Sequence, residues 1–210
     1  MRHFFIILVV FGSFCSCQKR DKEIILGSPN AKKYWIYLCG LTDCFNSIPE
    51  ISNRKILDEI GKNLGIGIIA IPPQKRCSEY QNKLCWPHHT KEEVLETYTN
   101  IRQQIPGVNV SGYIGFSNGG FFLLKLAEIK SVEVPLIVIG AGIYPEKTNQ
   151  KNTIFLLIGK QDKAHYNLAK NYYKKMQENP SSNITLVEYD GGHIIPEKPL
   201  EKLLSLRECL

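Results

Sequence analysis

The sequence predicts an α/β domain, a three-layer sandwich in which a mostly parallel sheet of about six strands carries helices on both faces. Two features predict it. Apolar runs of strand length, rich in β-branched and aromatic residues, recur along the chain. Segments with helical apolar spacing, several opened by capping residues, separate those runs. A length of 210 residues gives room for one substantial core, and no linker-like stretch divides it.

In chain order, 33–39 reads as an aromatic-rich strand stopped at Gly40. Ser47-Ile48-Pro49-Glu50 has the form of a capping box with proline in the first turn, opening a helix to about Leu64. A fully apolar strand at 66–71 is closed by Pro72-Pro73, and a long loop, 74–89, follows. Thr90-Lys91-Glu92-Glu93 is a second capping box, and its helix ends before Pro106-Gly107. The strand 110–116 leads into a helix marked by Phe122, Leu123, Leu126 and Ile129. Beyond it come a strand at 136–140, a loop at 141–152 and a strand at 153–158. A helix at 164–177, a strand at 184–189 and a closing helix at 199–209 complete the chain. Residues 23–26 have the character of a short extra strand.

Hydrophobic content of 43% with 22% charged residues excludes a disordered chain. The net charge of +6 comes from scattered lysines and is unaccompanied by any nucleic-acid motif, so no nucleic-acid partner is expected. The N-terminus reads as a targeting segment. Arg2 and His3 precede an apolar run from Phe4 to Phe14, too short to span a bilayer comfortably and suited to a secretory signal. Ser16-Cys17 resembles the cleavage site of bacterial lipoproteins, in which the cysteine is acylated and becomes the first mature residue. Cys15 and Phe14 stand where smaller residues are usual, so ordinary signal cleavage or retention as an anchor are the alternatives. The organisation expected is a signal peptide at 1–17, a tether at 18–32 and the α/β domain at 33–210. The expected location is the cell envelope, lipid-anchored at Cys17, or otherwise the periplasm or exterior.

Export permits disulfides among Cys39, Cys44, Cys77, Cys85 and Cys209. Cys77 and Cys85 flank a short polar loop and are the favoured pair, while Cys39 and Cys44 are also close in sequence. Zinc on Cys85, His88 and His89 is the rival reading, weakened by the absence of Cys-x-x-Cys spacing.

The chemistry gathers on Gly115-x-Ser117-x-Gly119, placed between a strand and a helix as in a nucleophile elbow. A tight strand-to-helix turn lifts the serine hydroxyl above the sheet, and the glycines let strand and helix pass close by. Parallel strands joined by right-handed crossovers put every strand's C-terminal end on one edge. Asp162 follows the fifth strand of the count and His193 the sixth, so Ser117, Asp162 and His193 share that edge in the order of a Ser-Asp-His triad.

Gly115-Phe116-Ser117-Asn118-Gly119-Gly120 resembles the elbow of the α/β-hydrolase superfamily, in particular small carboxylesterases and dienelactone-hydrolase-like or depolymerase-like esterases. The resemblance covers the chain from about Lys33 onward and implies Ser117 as nucleophile, His193 as base and Asp162 as the acid. That family carries eight strands, so the antiparallel edge hairpin is reduced or missing here. Leu38-Cys39-Gly40-Leu41 replaces the family's His-Gly, and Gly40 still permits the turn. The backbone N–H groups of Leu41 and Asn118 are then the candidate oxyanion hole.

Each residue also has a plainer reading. Ser117 would serve only its turn; Asp162 would cap the helix near Ala164; Asp190, the rival acid, would serve the Asp190-Gly191-Gly192 turn. His165 reads as a surface residue of a helix, and His88 and His89 as pocket-lining or solvated. The chemistry implied is acyl transfer on a small-molecule ester, with no metal or organic cofactor needed. The 72–89 loop with Trp86-Pro87, and Ile143-Tyr144-Pro145, are the expected pocket walls and point to an apolar acyl or aryl group. Thioesterase, lactonase and peptidase activities use the same residues, and a non-catalytic exported lipoprotein that binds a partner is the alternative from another class.

Overall fold

The computed structural model describes residues 22–146 and 152–208. The targeting segment, Cys17 and Cys209 lie outside the described residues. The central sheet has seven strands, in the order β1-β3-β2-β6-β7-β8-β9. Of these, β2 (Tyr34–Leu38), β3 (Gly67–Ile71), β6 (Val110–Phe116), β7 (Leu136–Ile139), β8 (Thr153–Gly159) and β9 (Asn183–Tyr189) are mutually parallel. At one edge β1 (Ile24–Gly27) pairs antiparallel with β3, Ile24 opposite Ala70. The domain therefore reaches back into the stretch 18–32 read as a tether. One antiparallel edge strand is present where a hairpin was expected to be reduced or missing.

The inner strands are apolar on both sides because both sides are covered. Ile36, Leu38, Ile69 and Leu156 face α2 (Lys91–Gln104), α3 (Asn118–Ile129) and α4 (Tyr166–Gln177). Trp35, Tyr37, Ile68 and Leu157, one residue out of phase, face α1 (Ile48–Leu64) and α5 (Glu197–Glu208). This two-residue alternation is what fixes the register, since a slip of one would exchange the two cores. Among the described residues no helix is long and apolar enough to cross a membrane.

Helix ends follow the sequence in one case and depart from it in another. Thr90 caps α2, its hydroxyl accepting from the Glu93 N–H at 3.3 Å. Ser47 sits at the N-cap of α1 but makes no cap bond; its hydroxyl pairs with Thr42 Oγ1 at 2.8 Å. Glu50, the expected second half of that box, turns inward instead and lies 3.3 Å from Tyr37 Oη.

The 74–89 loop contains structure that the sequence left undivided. β4 (Lys75–Cys77) and β5 (Lys83–Cys85) form a hairpin, turned through Gln81 and Asn82 at positive φ. The Cys77–Cys85 disulfide links the two strands across a Cα separation of 6.0 Å. Cys39 is a free, buried thiol, whereas Cys44 is disulfide-bonded, so these two do not pair with each other. With Cys85 in a disulfide, a zinc site on Cys85, His88 and His89 is excluded.

β6, the turn and α3 meet β2 at close quarters. A Cβ on Gly115 would sit 2.5 Å from the Gly119 carbonyl oxygen, and one on Gly119 would collide with the carbonyls of Leu38 and Cys39. Backbone cannot step aside as a flexible side chain can. Gly119→Ala should therefore lower the urea midpoint by the equivalent of about 1–3 kcal/mol. An unchanged midpoint would contradict this packing.

Candidate active site

Ser117 joins β6 to α3 with φ 52° and ψ −116°, a left-handed backbone that a residue with a Cβ rarely adopts. Its N–H donates to Ile139 O at 2.8 Å, and its carbonyl accepts from Phe121 N at 3.0 Å as α3 begins. The side chain is half-buried and stands at the N-terminus of α3, where the helix dipole favours negative charge. Gly40, after β2, lies against it: a Cβ there would be 3.1 Å from Ser117 Cβ. Neither the Leu41 nor the Asn118 N–H has a backbone acceptor outside helices and strands among the described residues.

Asp162 and His193 come from the turns after β8 and β9. Those turns are tied together: Lys160 N donates to Tyr189 O at 2.9 Å and Gln161 N to Gly191 O at 2.8 Å. Tyr189 Oη then pins the second turn through Gly192 O at 3.2 Å and Ile194 O at 2.8 Å. The outcome is a bond of 2.6 Å between His193 Nδ1 and Asp162 Oδ2. The Asp162 side chain is 2% exposed and that of His193 35%. Burial by itself pushes the Asp162 carboxyl up; the hydrogen bonds from His193 and His165, and the charge either ring can take, outweigh it and hold the carboxyl below its ordinary value. Asp162 is thus a carboxylate at neutral pH.

His193 packs against the residues that flank the Ser117 turn. Its ring lies 4.9 Å from that of Phe116 and packs on Gly140, which directly follows the Ile139 that binds the Ser117 N–H. Among the described residues no hydrogen bond joins Ser117 Oγ to His193; in substrate-free sites such bonds are commonly long. Asp190, the rival acid, points away, pairing with Lys160 at 3.1 Å with its side chain 86% exposed. Asp162 also fulfils its plainer reading, since Oδ1 accepts the His165 N–H at 3.2 Å where α4 begins.

His165 is the residue the sequence reading misplaced. It is no free surface side chain: its Nδ1 lies 3.0 Å from Asp162 Oδ1, and its ring stacks on His193 at 4.6 Å. The signal was the spacing Asp162-x-x-His165 across a helix start, which returns the second side chain to the first within one turn. Trp86 was misplaced in the opposite sense. At 1% exposure it lines no pocket over Ser117 but clasps the elbow. Its N–H donates to Asn118 Oδ1 at 2.6 Å and its Nε1 to Cys39 O at 3.0 Å, while Leu84 and Thr42 exchange backbone bonds beside it. The hairpin therefore holds both the segment after β2 that leads to Leu41 and the start of α3 at Asn118. A cavity of about 230 Å³ does lie against Trp86, but its lining of Gln74, Cys85, Glu96 and Ile101 belongs to the hairpin and α2. The rings about His193 are instead those of Phe116 and His165, and a chain of ring contacts runs on from His165 to Phe121 and from Phe121 to His88, the last pair 5.5 Å apart. Burial pushes the His88 pKa down, so this ring is neutral. Tyr144 is 73% exposed.

No protein-family model and no curated protein matches this chain. Solved structures do. The acyl-protein thioesterase 2 of Zea mays superposes with a TM-score of 0.63 at 17% identity, over 89% of this chain and 98% of that one. The Bacillus cereus carboxylesterase gives 0.61 at 13%, over 90% and 93%. The Paleococcus ferrophilus monoacylglycerol lipase gives 0.59 at 12%, over 88% and 96%. These likenesses define a class of architecture: the chain has the α/β-hydrolase fold, the one its elbow resembles.

Beneath the Gly40 turn, Glu50 is buried beside Tyr37, Cys39 and Arg54, and burial pushes its carboxyl up from 4.5 to about 7. Between those values the folded chain holds a proton that the unfolded chain has released, so stability falls as pH rises through the window. Glu50→Gln should remove that slope. Relative to wild type it should be roughly 1–3 kcal/mol more stable at about pH 8 and close to equal at about pH 4.5, read by urea unfolding at both. A wild-type stability that rose between those pH values in step with the Gln variant would contradict it.

Proposed function

We propose that the protein is a serine hydrolase that cleaves carboxylic esters of small or apolar acyl groups through Ser117, His193 and Asp162. The observation that carries this reading is the 2.6 Å bond from His193 Nδ1 to a buried Asp162 carboxylate, on the same sheet edge as a serine held at positive φ. A carboxylate accepting from Nδ1 keeps that nitrogen protonated and leaves Nε2 as a base. Ser117 Oγ attacks the ester carbonyl as His193 Nε2 takes its proton. The negative oxygen of the tetrahedral intermediate is received by the Leu41 and Asn118 N–H groups at the positive end of α3. His193 gives the proton to the leaving alcohol, and water then repeats the sequence on the acyl-enzyme.

Phe116, whose ring lies against that of His193, makes the surroundings of the base apolar and suits an apolar acyl or aryl group. Among the described residues the longest insertion after a strand without a helix is the 72–90 hairpin segment, which leaves no room for a large cap. The structural neighbours include an acyl-protein thioesterase, a carboxylesterase and a monoacylglycerol lipase, which supports the class of reaction. Attachment to the cell envelope through an acylated Cys17 belongs to the same proposal.

A fluorophosphonate probe tests the nucleophile. Wild type should be labelled and should turn over p-nitrophenyl esters of short acids, whereas folded Ser117→Ala should do neither. Label retained by Ser117→Ala, or a wild type inert to all esters and thioesters tried, would move the assignment to a non-catalytic binding lipoprotein.

The acid is tested separately. Asp162→Asn should lower kcat by about three to four orders of magnitude, because the amide favours the wrong tautomer of His193. Asp190→Asn, on the exposed rim, should change kcat by less than about threefold. The reverse ranking would show the acid misassigned.

A further inference from the structure

We propose that Asp162, His165 and His193 form a binding site for a divalent transition-metal ion, Zn²⁺ or Cu²⁺, whose occupation switches the proposed hydrolase off. Among the described residues this is the one group of three metal-ligating side chains whose donor atoms all lie within 4.8 Å of one another. Two imidazoles and a carboxylate are a donor set that zinc and copper accept readily.

The arrangement is unusual for a carboxylate whose only task is to steady one histidine. The two rings come from different elements, the turn after β9 and the start of α4, yet both turn Nδ1 toward the same carboxylate. The separations are 2.6 Å for His193 to Oδ2, and 3.0 and 3.2 Å for His165 to Oδ1 and Oδ2. A tetrahedral zinc site with bonds of about 2.1 Å has ligand-to-ligand edges of about 3.4 Å. The donors therefore need to part by less than an ångström, about 0.8 Å for His193 and Asp162 and about 0.2–0.4 Å for His165 and Asp162, to admit an ion between them. Asp162 is buried while the His165 and His193 side chains are 22% and 35% exposed, so the carboxylate is fixed and the approach is from solvent. Solvent water supplies the fourth ligand.

The consequence for catalysis follows from the proton count. In the metal-free site each neutral ring carries its proton on Nδ1, where it meets Asp162. An ion bound at Nδ1 takes that lone pair, and the proton moves through water to Nε2. His193 then presents N–H to Ser117 in place of a lone pair and cannot accept the serine proton. No bond to substrate is needed, and removing the ion reverses the tautomer. The loss of turnover rests on the function proposed above; the binding of the ion does not.

The other histidine pair provides a control. His88 and His89 face Tyr80 Oη and the exposed Glu79, and the neighbouring Cys85 is held in a disulfide.

Titration calorimetry of the full chain with Zn²⁺ is the test, with Ser117→Ala, His165→Ala, His165→Gln, His193→Ala and His88→Ala alongside and each fold checked by circular dichroism. Wild type, Ser117→Ala and His88→Ala should bind with similar affinity, and the His165 and His193 variants at least tenfold more weakly. Turnover by wild type should fall over the same Zn²⁺ range and return on adding a chelator. Folded His165 variants that bind as tightly as wild type, or no saturable binding by wild type below millimolar Zn²⁺, would overturn the site; should His165 not tolerate replacement, His193→Ala decides alone. Calorimetry needs no turnover, so a protein inert to every ester would still give a clear answer about the metal.

Discussion

The backbone of Ser117 is the constraint on which the rest of the site depends. A non-glycine residue at φ 52° persists only where its surroundings over-determine it. Here β6 is bound on both sides by parallel neighbours, the Ser117 N–H is held by Ile139 O, and α3 starts at once against β2. Gly115 and Gly119 allow that approach, because side chains there would fall on backbone that has no room to move. The strain sets Ser117 at the sheet edge where α3 starts, and the Asn118 N–H opens that helix. One local distortion thus suits both the nucleophile and half of the anion-binding pair that the proposed chemistry requires.

Positioning of the other two residues is a matter of sheet order and not of sequence distance. β8 and β9 are the last two strands on that side, so the turns after them are neighbours although Asp162 and His193 lie 31 residues apart. Backbone bonds between the turns and the hydroxyl of Tyr189 make a rigid frame for the pair. The carboxylate at its centre is costly to bury, and two imidazole donors with the backbone N–H of His165, just before α4, offset that cost. On the far side of Ser117 the disulfide-linked hairpin performs a comparable task, with Trp86 binding Asn118 and the Cys39 carbonyl together.

Much of this was legible in the residues. Long apolar runs such as Leu136–Ile139 leave no alternative to a sheet covered on both faces, and the chain order of strands then fixes which loops share an edge. What escaped is what depends on side-chain competition in three dimensions. Ser47 has the sequence of a cap, but Thr42 captures its hydroxyl and the core captures Glu50. Trp86 has the look of a pocket wall, yet its ring is worth more as buried surface with its N–H satisfied by Cys39. His165 has the look of an exposed helix residue because helical periodicity says nothing about a carboxylate in the preceding turn. The hairpin of β4 and β5 was too short and too polar to register as strands.

The claim at the centre of the account is that Ser117 carries the acyl group during turnover. Rapid-quench mass spectrometry of wild type mixed with p-nitrophenyl acetate tests it most directly, because it reads the covalent intermediate and its address together. The account predicts one acetyl group per chain, on the peptide containing Ser117, appearing with the burst of p-nitrophenol and lost as steady-state hydrolysis proceeds. Turnover with no acetylated Ser117 at any time, or an acetyl group that forms and decays on another residue at the rate of turnover, would contradict it.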